Sequence, residues 1–94
     1  MLEEKYQKQI SAILRERLGS AAQFFVFGSS LGDGQFSDVD VAILGDTFSE
    51  KMIALAKEDL EESQIPYKVD LVYIEKTEKK FQAKLLNEKK LWLT

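Results

Sequence analysis

The sequence predicts one α/β (α+β) domain over residues 1–94, a small mixed β-sheet flanked by helices, and three observations predict it. Two short β-prone apolar runs, Phe24 to Phe27 and Val39 to Leu44, each stop at a glycine, Gly28 and Gly45. Segments with helical periodicity stand before the first run and after the second. A third run, Tyr67 to Ile74, follows the only proline, Pro66. A chain of 94 residues, 45% of them hydrophobic and 11% aromatic, supplies one core near the lower end of what folds alone.

In chain order, Leu2, Tyr6, Ile10, Ile13, Leu14 and Leu18 recur at helical spacing and Gly19 follows as a stop. This first helix is expected to pack on the sheet. Ser20 to Ala22 links it to the first strand, whose residues Phe24, Phe25, Val26 and Phe27 are apolar on both faces, as an interior strand requires. After Gly45, Thr47 and Glu50 have the spacing of a capping box, and Met52, Ile53, Ala56 and Leu60 lie on one helical face. The second helix is expected from about 48 to 63. A strand, a crossover helix and a strand make the second and third strands parallel, whereas the first two are expected to be antiparallel. Thr77 is expected to cap a last helix facing inward through Phe81 and Leu85, with Leu86 beside them. Asn87 to Lys90 reads as a turn, its two lysines solvated, and Leu91 to Leu93 as a short strand. Trp92 in that strand is a core or edge residue, and an exposed Trp92 would mark a partner surface.

Composition excludes several chemistries. The chain has no cysteine and no histidine, so disulfides, thiolate or imidazole zinc sites and Ser-His or Cys-His nucleophiles are ruled out. A net charge of −3 and a pI near 5.0 argue against a duplex nucleic-acid surface. The amino terminus is charged and no apolar run approaches ~18 residues. Neither a signal peptide nor a membrane span is expected, and the expected location is the cytoplasm.

The loop between the first two strands carries the chemistry. If the chain leaves the first strand at Gly28 and re-enters the sheet at Asp38, then Gly28, Ser29, Asp38 and Asp40 lie at one end of the sheet. Asp38 and Asp40, one residue apart in an extended chain, point to the same side about 7 Å from each other. Carboxylates so placed repel and raise each other's pKa unless a cation lies between them. A hard cation, most naturally magnesium, resolves the repulsion and recruits phosphate oxygens. The Gly-Ser turn offers backbone N–H groups and a hydroxyl to the same phosphates. A nucleotide is the expected partner.

Gly28-Ser29, then Ser37-Asp38-Val39-Asp40-Val41-Ala42-Ile43, then Val69-Asp70-Leu71-Val72 resembles the nucleotidyltransferase superfamily related to DNA polymerase β, and especially its minimal nucleotidyltransferase branch. The resemblance covers most of the chain. It implies the polymerase-β-like fold and transfer of a nucleoside monophosphate from an NTP, with ATP the expected donor, to an acceptor hydroxyl. Asp38, Asp40 and Asp70 are the implied catalytic residues and ligands of Mg2+ (or Mn2+), with Asp70 also helping to activate the acceptor. Gly28, Ser29, Ser30 and Ser37 are the expected nucleotide-binding residues. The family's loop is usually longer and carries an arginine, but no Lys or Arg occurs here from Ala21 to Glu50. Lys68, two residues before Asp70 and on its face of the strand, is the candidate replacement. The resemblance further implies a small helical partner of the HEPN class, the chain acting as its antitoxin; a homo- or hetero-oligomer is compatible with the sequence, which does not fix the oligomeric state. The alternative reading is a binding subunit that neutralises such a partner by covering it, without catalysis.

Overall fold

The computed structural model describes residues 2–32, 34–45 and 48–93, with only the backbone of Ser29. Helix α1, Glu4–Leu18, turns its buried Ile10, Leu14 and Leu18 to the sheet and ends at Gly19, whose N–H donates to the Arg15 carbonyl at 2.8 Å. Strand β1, Gln23–Phe27, runs into a single 3-10 turn, Gly28–Leu31. Strand β2, Asp38–Leu44, is followed by helix α2, Glu50–Glu62, and strand β3, Lys68–Tyr73. A second 3-10 turn, Ile74–Lys76, leads to helix α3, Lys79–Asn87, and to the two-residue strand β4, Leu91–Trp92.

The four strands form one sheet in the order β3-β2-β1-β4. β1 pairs antiparallel with β2 and with β4, and β2 pairs parallel with β3. β1 is therefore interior, as its unbroken apolar run required, and the relation among the first three strands is the one expected. Side chains alternate between faces along each strand. Phe24 and Val26 of β1, Val39, Val41 and Ile43 of β2 and Val69 of β3 fill the main core with residues of α1 and α2. Truncating a ring such as that of Phe24 to alanine would cost about 3–5 kcal/mol. Across the outside of that layer, Arg17 of α1 forks onto Asp59 of α2 with N–O distances of 2.6 and 3.2 Å. The opposite face is thinner: Phe25, Ala42, Ile74 and Leu85 make a small second cluster under α3.

Three local expectations are corrected. α2 is capped by Ser49, whose hydroxyl accepts from the Met52 N–H at 3.2 Å, so Glu50 is the first helical residue and not the third. Thr47 lies outside the described residues. Thr77 does not cap α3; its hydroxyl donates to the Ile74 carbonyl at 2.8 Å and closes the preceding 3-10 turn. The helix begins after Glu78 without a side-chain cap and runs through Asn87. Phe81 is 39% exposed and only Leu85 of α3 is buried, because a single turn of this nine-residue helix reaches the sheet.

Candidate functional site

Gly28 sets the geometry. The chain leaves β1 through it with φ +83°, in the left-handed region that a side chain resists. A Cβ at this position would stand 2.9 Å from Oδ2 of Asp40. The missing side chain is thus what lets the Asp40 carboxylate lie over the start of the turn.

The register supplies the neighbours of Asp40. On one side it is opposite Phe27 of β1, and on the other opposite Asp70 of β3. Asp38, two residues earlier and on the same face, is opposite Lys68. That end of β3 is fixed by the Lys68 N–H, which donates to the Ser37 carbonyl at 3.1 Å. Burial, then the charges of Asp70 and Asp38, push the Asp40 carboxyl above the usual aspartate range. Nζ of Lys68 lies 3.8 Å from Oδ1 of Asp70, too long for a hydrogen bond, and two-thirds of the lysine side chain is in solvent. It offsets the Asp70 charge only weakly.

The remaining expected residues fall in different places. Gly28 and Ser37 are exposed. Ser29 continues the 3-10 turn, and its side chain lies outside the described atoms. Ser30 lies apart from the others: the turn winds it inward, it is 1% exposed, its hydroxyl has no hydrogen-bond partner among the described residues, and its carbonyl accepts from the Leu2 N–H at 3.2 Å. A side chain so placed does not reach a phosphate from solvent. Two clefts open on the surface, one of them beside Gly28. One of about 340 Å³ lies between α1 and β4, lined by Lys8, Arg15 and Trp92 among others, away from the carboxylates. The other, about 350 Å³, has Gly28, Leu31 and Gly32 on the loop side and Glu88 and Lys89 on the α3–β4 turn. Sequence reading left that turn as solvated surface, since nothing local signals contact with a loop so far upstream.

The donor set is chemically suited to a hard divalent cation, being carboxylates alone. Among the described residues, however, no three acidic side chains converge closely enough to enclose an ion by themselves. Magnesium commonly keeps several waters and takes one or two carboxylates with substrate phosphates, so an open arrangement of this kind fits it better than a closed cage would.

The family model for the polymerase beta nucleotidyltransferase domain matches residues 8–93, from within α1 to the residue after β4. The chain belongs to this family. The match takes in all four strands, Gly28 and the three aspartates, and the mixed sheet with three helices is consistent with the polymerase-β-like fold. A function of nucleotidyltransferase type follows at that coarse level, in a family that typically uses an NTP and a divalent metal. A comparison with curated proteins returns no match. Among the described residues no helix is long and apolar enough to cross a membrane.

Proposed function

We propose that the chain, a member of the minimal branch of its family, moves a nucleoside monophosphate from a magnesium- or manganese-bound NTP to a hydroxyl of a partner protein. ATP is the expected donor. The observation that supports this best is the Asp40 carboxylate, seated over Gly28, in register with Asp70 and with its proton affinity raised by burial and then by its acidic neighbours. Asp38 and Asp40 would hold the cation. When bound, it supplies charge neutralisation for the carboxylates and the triphosphate together and fixes the phosphates for in-line displacement. The acceptor oxygen forms a bond to the α-phosphorus, the bond from that phosphorus to the bridging oxygen breaks, and pyrophosphate leaves with the electron pair. Asp70, on the edge strand and half exposed, takes the hydroxyl proton.

The acceptor in this reading is a small helical protein of the HEPN class in the cytoplasm, inactivated by the modification. Exposed Phe81, Leu86 and Trp92 give the chain apolar surface for such a contact. The test is transfer of label from α-labelled ATP to a HEPN-class protein encoded beside this one. Asp38→Asn with Asp40→Asn should abolish transfer and leave the fold intact. Asp70→Asn should retain some NTP binding and lose most transfer. A second reading, a binding subunit that acts by covering its partner, is favoured by one observation: the stretch from Ala21 to Glu50 without a Lys or Arg. Equal protection against the partner by wild type and all variants, with no label moved by any, would decide for it.

A further inference from the structure

The loop after β1 has no cation of its own, whereas six of the 13 basic residues lie between Lys76 and Lys90. One of these is brought to the loop. Lys89, with Glu88, forms one wall of the 350 Å³ cleft whose other wall is Gly28, Leu31 and Gly32. The sheet agrees with this: Phe25 is opposite Trp92 and Val26 opposite Leu91, so the chain enters β4 two residues after Lys89, beside the end of β1 that leads into Gly28. The turn is held from both sides of that residue. The Lys90 ammonium donates to the carbonyls of Leu86 and Glu88 and lies 5.5 Å from the centre of the Phe25 ring. Glu88 has Nζ of Lys84 4.0 Å from its carboxylate, which offsets its charge in the cleft. Lys89 has no ion-pair partner among the described residues. Lys68 is already beside Asp70.

We propose that Lys89 is the cation of the phosphate-binding loop, its ammonium binding the outer phosphates of the NTP in the cleft beside Gly28. The assignment rests on the nucleotidyl-transfer reading. Glycines in a turn expose backbone N–H groups that favour an anion, and a lysine adds a full charge that needs no fixed fork geometry. An ammonium delivered from a turn on a neighbouring element therefore serves where an arginine within the loop is missing. In a chain of net charge −3, a local positive group is also what would allow a triphosphate to approach.

Calorimetry of ATP, AMP and inorganic tripolyphosphate, each with Mg2+, distinguishes this role. The proteins compared are the wild-type chain, Lys89→Ala, Lys89→Arg, and Lys80→Ala, which removes the same charge from an exposed position of α3 outside the cleft. Lys89→Ala is expected to weaken ATP and tripolyphosphate roughly ten-fold, the lower end for a hydrogen bond to a charged group, and to leave AMP unchanged. Lys89→Arg should recover most of the loss, and Lys80→Ala should behave as wild type. Undiminished ATP binding by Lys89→Ala, an equal loss for AMP, or an equal loss in Lys80→Ala overturns the assignment while the transfer reading stands. Failure of the wild-type chain to bind any NTP with metal sinks both.

Discussion

Gly28→Ala is expected to damage the site more than the fold. Holding an alanine at φ +83° costs about 1–2 kcal/mol. The added methyl would also stand 2.9 Å from Oδ2 of Asp40 and 3.9 Å from its Cγ. That oxygen is the far end of a side chain, so the contact is relieved by turning the carboxylate and not by moving β2. Leaving its rotamer costs about 0.5–1.5 kcal/mol more. The sum, about 1.5–3.5 kcal/mol, would lower Tm by roughly 6–28 °C in a domain of this size and leave most molecules folded at room temperature. Binding of Mg-ATP, which on the proposed function depends on the position of the carboxylate, should fall much further. Melting and urea unfolding report the first effect and calorimetry the second. Repeating the substitution in an Asp40→Ala background leaves only the backbone cost, so the cycle should show a coupling of about 0.5–1.5 kcal/mol. If the substitution costs the same in both backgrounds, or the folded variant binds Mg-ATP as well as wild type, the close packing of Gly28 and Asp40 has no role in the site.

Asp40→Asn should be more stable than wild type at neutral pH in the absence of divalent metal. The folded carboxyl holds its proton above the usual range, so wild-type stability from this group is fully present below the unfolded pKa and is lost as pH rises through the folded one. The urea midpoints of the two proteins should therefore converge in acid; a gap that persists there would mean that the substitution acts by packing. Ser30→Ala removes a buried hydroxyl that has no partner among the described residues and is expected to leave stability unchanged or raise it by up to about 1–3 kcal/mol, whereas Ser30→Arg, intended to restore a loop cation, should destabilise without improving NTP binding. A fall in the Ser30→Ala midpoint would show a missed partner. Gly45→Ala, at φ +144° with the buried Phe48 ring against the new methyl, should cost more stability than Gly28→Ala yet leave NTP affinity intact in the folded fraction; calorimetry showing equal losses at the two glycines would contradict the distinction.

The strands and α1 were legible because the signals that define them are local. Glycines bound the first two apolar runs, and six apolar residues at helical spacing end at Gly19. The shared face of Asp38 and Asp40 was legible for the same reason, since alternation needs no tertiary information. Pairing needs more. Alternation puts Asp70 on some face of β3, but its position opposite Asp40 depends on a register fixed by long-range bonds such as Lys68 N–H to Ser37. The inward position of Ser30 was not legible because nothing local signals that the loop begins with a 3-10 turn, which rotates its third residue into the core. Thr77 and Phe81 were misread because a helix was given the cap and the inward face that an average helix has. α3 is short, and the small cluster beneath it is filled by Leu85 with Phe25, Ala42 and Ile74. Lys89 was invisible in the sequence because its proximity to Gly28 exists only once β4 has paired with β1.

The unequal coverage of the two sheet faces has a consequence for fidelity. The side with α1 and α2 is sealed, while among the described residues the carboxylate side is roofed by little more than one turn of α3. Charges on the open part of that side are partly screened by water, so each electrostatic contribution to a transition state is weaker there than in an enclosed site. A nucleotide lying on this half-open platform would be activated poorly, and water, the competing nucleophile, would gain little from being near it. An acceptor surface that closes the platform would at one stroke expel that water and strengthen the field on the α-phosphate. On the proposed transfer reading, idle hydrolysis would then stay slow until the acceptor arrives, and the molecule to be modified would itself complete the reaction chamber.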